Sequence, residues 1–284
     1  MHSSYSVNGP IGVFDSGFGG LSILRDLVKR LPDNDFIYIG DNARNPYGPR
    51  SFDIVYRYTL EAVSRLFEMG CPLVIIACNT ASAKALRTIQ QNDLPGMDPS
   101  RRVLGVIRPS VEAVGSYTKT GHVGVLATQG AVASMSYPME ISKLYPDIVV
   151  TQEACPMWVP LVEYNEYDGG GADYFVKNNI DSLLSKDPLI DCVILGCTHY
   201  PLLDRKIRLY MPENIRLLYQ GPVVAASLEE YLSRHPEMKR RLTAGGGVLY
   251  FSTESPEAFG LHGSHFMNRP VTAGQIDLSR EWRS

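Results

Sequence analysis

Two cysteines close the same local pattern. Cys78 ends the apolar run LVIIA (Leu73–Ala77) and is followed by Asn79 and Thr80. Cys197 ends CVILG (Cys192–Gly196) and is followed by Thr198 and His199. A free cysteine is usually a small buried hydrophobe, so either one alone reads as structural. Two at matching strand ends, each with polar neighbours, read as a paired thiol site. Thiols facing one carbon from opposite sides can take a proton from one face and return one to the other. Cys78 opens a helix-compatible stretch (Ala81, Ala83, Ala85, Leu86), where the positive end of the dipole favours thiolate. Pro201 marks a first helical turn after Cys197, and His199 is placed to exchange a proton with that thiol or to hold a carbonyl. Cys71, Cys155 and Cys192 lack this setting and read as structural.

Two other segments carry candidate chemistry. In DSGFGGLSIL (Asp15–Leu24), Gly17, Gly19 and Gly20 allow a tight turn with backbone N–H groups at a helix start, which suits an anion. The spacing is neither GxGxxG nor a P-loop, and a plain glycine turn capped by Asp15 is the competing reading. In GDNARNPYGPRS (Gly40–Ser51), the rigid turn Pro46-Tyr47-Gly48-Pro49 could lay amides and an aromatic wall over a small ligand, or be an ordinary strand-to-helix loop. Cys197-x-His199 is the closest metal-like spacing, and two ligands do not complete a zinc site. No metal is expected.

These residues need elements to hold them. IGVFD (Ile11–Asp15), FIYIG (Phe36–Gly40), LVIIA and VLGVI (Val103–Ile107) read as buried strands. Leu21–Leu31, Ser51–Met69 and Ala81–Gln91 carry helical periodicity between them. Continuous apolar strands separated by helices indicate a parallel sheet covered on both faces. The pattern then restarts: HVGVLAT (His122–Thr128) resembles IGVFDSG, and DCVILGCTHYP repeats LVIIACNTAS. Asp15 and Cys78 lie 63 positions apart, Thr128 and Cys197 69. The fold class expected is therefore α/β, with two pseudo-symmetric parallel-sheet domains. Residues 1–108 with 222–284 form the first, on the Cys78 side, and residues 109–221 the second, on the Cys197 side. IRLLYQG (Ile215–Gly221), a helix from about Val223 to Arg234 and GVLYFST (Gly247–Thr253) are too few to fold alone, so the chain crosses back to complete the first domain. EYNEYDGGG (Glu163–Gly171) reads as an exposed loop. Ligands collect at the carboxyl ends of such strands, which puts the site in the cleft between domains.

Composition excludes several classes. With 284 residues, 44% hydrophobic and 20% charged, the chain is an ordinary globular one. A net charge of -3 without a dense basic cluster gives nucleic-acid binding no electrostatic support. Lys239-Arg240-Arg241 is more simply a solvated helix end. No apolar run approaches a membrane span, and polar Met1–Pro10 lacks a signal-peptide core. Five cysteines without CxxC point to reduced thiols of the cytoplasm.

The strings DSGFGGLSIL, NPYG, ACNTASA, GVIRPS, GVLAT, CPMWVPLVE and GCTHYPLL, in this order over about residues 11–203, resemble the glutamate racemases, within the cofactor-independent aspartate/glutamate racemase superfamily. The resemblance implies that Cys78 and Cys197 are acid/base thiols assisted by Asp15 and His199, with Glu163 as a further acidic residue. It implies substrate contacts from Asp15, Ser16, Pro46, Tyr47, Gly48, Asn79, Thr80, Thr128, Thr198 and His199. It also implies no cofactor, glutamate as substrate, D-glutamate for peptidoglycan, cell-wall biogenesis and cell shape, a cytoplasmic location and a homodimer. Two strings depart from the family: IRPS (Ile107–Ser110) lacks a glycine that commonly follows the proline, and YQGP (Tyr219–Pro222) replaces a more usual Asp-Ser-Gly. Both fall at the expected domain crossings. Competing readings are an aspartate or other amino-acid racemase, a cysteine hydrolase with Cys197 as nucleophile and His199 as base, and a two-lobed binding protein.

Overall fold

The computed structural model describes residues 8–278; most of the polar N-terminal stretch read above lies outside them. Among the described residues ten strands form two all-parallel sheets. The first has the order β10-β9-β2-β1-β3-β4 and the second β6-β5-β7-β8. The strands are β1 (Ile11–Asp15), β2 (Phe36–Gly40), β3 (Leu73–Ile76), β4 (Arg102–Gly105), β5 (His122–Ala127), β6 (Val149–Ala154), β7 (Cys192–Gly196), β8 (Arg216–Leu218), β9 (Val248–Ser252) and β10 (Ala273–Gln275). β1, β2, β3 and β7 are buried along their whole length, as both-face coverage requires.

The internal repeat is visible as topology. β2-β1-β3-β4 in one sheet and β6-β5-β7-β8 in the other have the same order, so β1 corresponds to β5, β2 to β6 and β3 to β7. Asp15 and Thr128 therefore stand at equivalent strand ends, and so do Cys78 and Cys197. After β8 the helix Gln220–Arg234 packs on the helix Leu21–Arg30, and β9 and β10 extend the first sheet beside β2.

Several local readings differ from the structure. The strand expected over Val103–Ile107 ends at Gly105, and Ile107 already belongs to the helix Ile107–Val114; an apolar run does not separate a strand end from a helix start. The helix expected over Ala81–Gln91 is broken into Asn79–Lys84, Leu86–Thr88 and a π turn over Ile89–Asp93. The loop expected over Glu163–Gly171 is shorter: Glu163 ends the helix Trp158–Glu163, and Gly170 begins a 17-residue helix to Lys186. Among the described residues no helix is long and apolar enough to cross a membrane.

Candidate active site

The carboxyl ends of the strands enclose a cavity of about 150 Å³ that holds both thiols. Of the residues named from sequence, Ser16, Pro46, Tyr47, Gly48, Cys78, Asn79, Thr80, Thr128, Cys197, Thr198 and His199 line it. Asp15 and Glu163 do not; each stands behind a lining residue. A larger cavity of about 500 Å³, lined by Arg108, Glu112 and Tyr231 among others, contains no cysteine and lies at the crossing helices.

Around Cys78 the polypeptide turns from β3 directly into the helix Asn79–Lys84. The thiol caps this helix: Ala81 N–H donates to Sγ at 3.5 Å, and Sγ–H donates to Ser16 Oγ at 3.5 Å. The dipole argument alone predicts a thiolate. Burial, followed by the neighbouring Asp15 carboxylate, outweighs it and pushes the thiol up to about 12. Asp15 is fully buried, accepts from Gly17 N–H at 3.0 Å and faces the Thr198 hydroxyl at 3.4 Å. Burial raises its carboxyl, and His199 partly offsets that.

Cys197 follows β7 and precedes a single 3₁₀ turn, Tyr200–Leu203. Its Sγ lies 3.8 Å from His199 Nδ1, and His199 Nε2 lies 2.5 Å from Glu163 Oε1. Burial works against a charged imidazole, but the contacts with Cys197 and Glu163 prevail and hold His199 well above its ordinary value. The glycine turn after β1 makes this packing possible. A methyl group at Gly19 would sit 2.4 Å from both His199 Nδ1 and Thr198 Oγ1. The Ser22 hydroxyl donates to the Thr198 carbonyl at 2.9 Å, joining the two halves.

Other contacts fix the walls. Tyr47 donates its hydroxyl to Asp41, which also accepts from Arg44 Nε at 2.7 Å and Thr253 Oγ1 at 2.9 Å. Thr80 and Thr128, one from each half, share a hydrogen bond of 2.9 Å. The Asn79 side chain is turned into the protein: its Nδ2 donates to Gln220 Oε1 at 2.6 Å and its Oδ1 accepts from Tyr137 at 2.7 Å. Its offering to a ligand is therefore the first-turn backbone, whose N–H groups have no partner within the helix.

Cys155, read from sequence as structural, lies in the cavity wall with Pro156, Val159 and Pro160; Asn45, Pro49 and Gln129 line it as well. The repeat contains the missed signal: Cys155 follows β6, the counterpart of β2, whose following loop carries Tyr47. Burial holds the Cys155 thiol well above its ordinary value. Among the described residues no group of three His, Cys, Asp or Glu side chains is arranged to hold a metal ion.

The chain is 38% identical over 272 residues to a glutamate racemase of a Ruegeria species, covering 92% of this chain and 98% of that one. Its fold matches the crystal structure of a glutamate racemase isoform from Bacillus anthracis with a TM-score of 0.86 at 32% identity, covering 95% and 98% of the two chains. It matches the Francisella tularensis glutamate racemase, crystallised with D-glutamate, with a TM-score of 0.84 at 30% identity and the same coverage. Residues 11–227 match the Asp/Glu/Hydantoin racemase family, and the chain belongs to that family of amino-acid-racemising isomerases.

Proposed function

We propose that the protein interconverts L- and D-glutamate by proton transfer at Cα between Cys78 and Cys197. The observation that carries this reading is the pair of thiols at equivalent strand ends, lining one small cavity. One sulfur, as thiolate, takes the Cα proton; the opposite thiol gives its proton to the other face. The substrate is inverted, and the two sulfurs have exchanged protonation states. The carbanion formed between these transfers is the difficult species. Hydrogen-bond donors already aimed at the α-carboxylate stabilise it in a closed cavity. The first-turn amides of Asn79 and Thr80 and the hydroxyls of Ser16 and Thr198 supply such donors. His199 relays protons for Cys197, with Glu163 behind it, and Asp15 orients the Cys78 side. Because one group must be acid while the other is base, the pH profile is bell-shaped.

The names of the relatives favour glutamate over the shorter aspartate. On family grounds the D-glutamate serves peptidoglycan synthesis, cell-wall biogenesis and cell shape in the cytoplasm, and the active protein is a homodimer. The same reading assigns residues 1–108 with 222–284 to one domain and 109–221 to the other, each contributing one thiol. The test is incubation with each enantiomer of glutamate and of aspartate in D2O. Loss of optical rotation with deuterium entering Cα is expected for glutamate; failure to exchange either glutamate enantiomer would sink the reading. One observation favours a second reading: Cys197, His199 and Glu163 stand in series, as a cysteine hydrolase requires. That reading leaves Cys78 idle, and it predicts a trappable acyl-enzyme on Cys197.

A further inference from the structure

Gln220 begins the helix that returns the chain from the second sheet to the first, and it is buried. Besides accepting from Asn79 Nδ2, its amide nitrogen faces four acceptors. These are Ser110 Oγ at 2.9 Å, Tyr137 OH at 3.0 Å, Asn79 Oδ1 at 3.2 Å and the Val106 carbonyl at 3.4 Å. Val106 and Ser110 belong to the start of the outbound crossing helix, and Tyr137 to the helix Ser136–Leu144 of the second half. One amide thus joins both crossings and both halves to the residue next to Cys78. Its orientation is fixed, because turning it over would set Oε1 against the Val106 carbonyl and Asn79 Oδ1.

We propose that Gln220 is a positioning residue for the racemisation: it holds Asn79, and through it the first turn after Cys78, against the substrate α-carboxylate. This rests on the functional reading above. The helix Asn79–Lys84 has six residues and is capped by the catalytic sulfur itself, so its direction is set from outside. The reciprocal amide pair between Asn79 and Gln220 does so.

The experiment is racemisation kinetics in both directions for Gln220→Met, which keeps the volume without the amide, and Gln220→Asn. The latter keeps the amide but retracts it by about 1.5 Å, one C–C bond, and leaves a polar group where the fold has one. The first-turn amides hold the α-carboxylate of the bound substrate and stabilise the carbanion more strongly, so misplacing them acts on KM and kcat together. Both variants should lower kcat/KM for both enantiomers about tenfold, the scale of one buried hydrogen bond, with KM raised and kcat lowered together. Adding Gln220→Met to Asn79→Ala should change kcat/KM by less than about twofold, since the two act as one unit. A fall in kcat at unchanged KM in the soluble variants, or a further tenfold fall in kcat/KM in the Asn79→Ala background, overturns the proposal. A wild-type protein that racemised neither enantiomer would overturn the functional reading and this one with it; active wild type with unaltered variants overturns this one alone.

Discussion

Glu163→Gln isolates the charge behind His199. Glutamine keeps the length and shape of the side chain that meets His199 Nε2 at 2.5 Å, but not its charge. A hydrogen bond to a charged group contributes about 1.5–3 kcal/mol, and one between neutral groups about 0.5–1.5. The substitution therefore weakens the imidazolium by roughly 1–1.5 kcal/mol, about one pKa unit. The sign of its pH dependence follows from the direction of the shift. His199 is held above its unfolded value of 6.5, so the stability it contributes is complete below about pH 6.5 and is lost as pH rises through the folded value. The variant should accordingly be less stable than wild type by about 1–1.5 kcal/mol at pH 6, with the gap closing at alkaline pH, where His199 is neutral in both proteins. Urea unfolding at the two pH values, with unchanged m, measures this. In the pH profile of kcat/KM the alkaline limb should move down by about one unit. Equal destabilisation at both pH values, together with an unmoved limb, would refute the assigned role of Glu163.

Gly19→Ala should lower kcat/KM at least about tenfold, because its methyl group displaces His199 and Thr198; steady-state kinetics at unchanged secondary structure check it. Gly130→Ala should raise KM severalfold, since a methyl there would lie 2.5 Å from the Gly48 carbonyl and push the Tyr47 turn outward. Cys78→Ser and Cys197→Ser should each cut racemisation by at least about a hundredfold, and near-normal turnover in both would end the two-thiol mechanism. Alkaline unfolding gives a separate check. Burial pushes the Cys71 and Cys192 thiols from 9 up to about 12. Their contribution to stability is whole below about pH 9 and falls by about 1.4 kcal/mol per pH unit per thiol as pH rises toward 12. A Cys71→Ala/Cys192→Ala variant should lose less stability than wild type between pH 9 and 10.5, and an identical slope would count against it.

What could be read from the sequence was what depends on neighbours along the chain. β1, β3 and β7 are buried along their whole length, and the segments that close β3 and β7 carry the two thiols within the same strings. β6 (VVTQEA) is a half-buried edge and β10 has three residues, so neither announces itself by an apolar run. The helix Gly170–Lys186 starts in a glycine run that punctuates like a loop. Cys155 gained its place only through the equivalence of β6 with β2. Gln220 was legible as a departure but not as a contact, because Asn79 is 141 positions away and Tyr137 83. From sequence the glycines after β1 read either as an anion-binding turn or as a plain glycine turn capped by Asp15. In the structure Gly19 is held against His199, Gly20 against Asp15, and the Gly17 carbonyl accepts from Tyr38 OH at 2.8 Å.

The repeat places the thiols alike and surrounds them unequally, and the reaction limits what that inequality can do. Enantiomers have equal free energies, so on the proposed function kcat/KM must be the same in both directions. Unequal surroundings can change only how that ratio divides between kcat and KM, and which protonation form waits in the empty site. Burial and Asp15 disfavour a charged Cys78, so on the proposed function the empty site favours the form with its proton on that sulfur, which begins with the enantiomer whose Cα–H faces the opposite one. Each turnover leaves the opposite form, which must either take the other enantiomer or be reset by proton exchange with water. Cys78 is 6% exposed and closed in by Ser16 and Ala81, whereas Glu163, 16% exposed at its side chain, links His199 to the surface. On the proposed function the reset therefore runs through the Cys197 side. This gives Glu163 and His199 a reason to stand behind one thiol of an otherwise symmetric pair, with no equivalent needed behind the other.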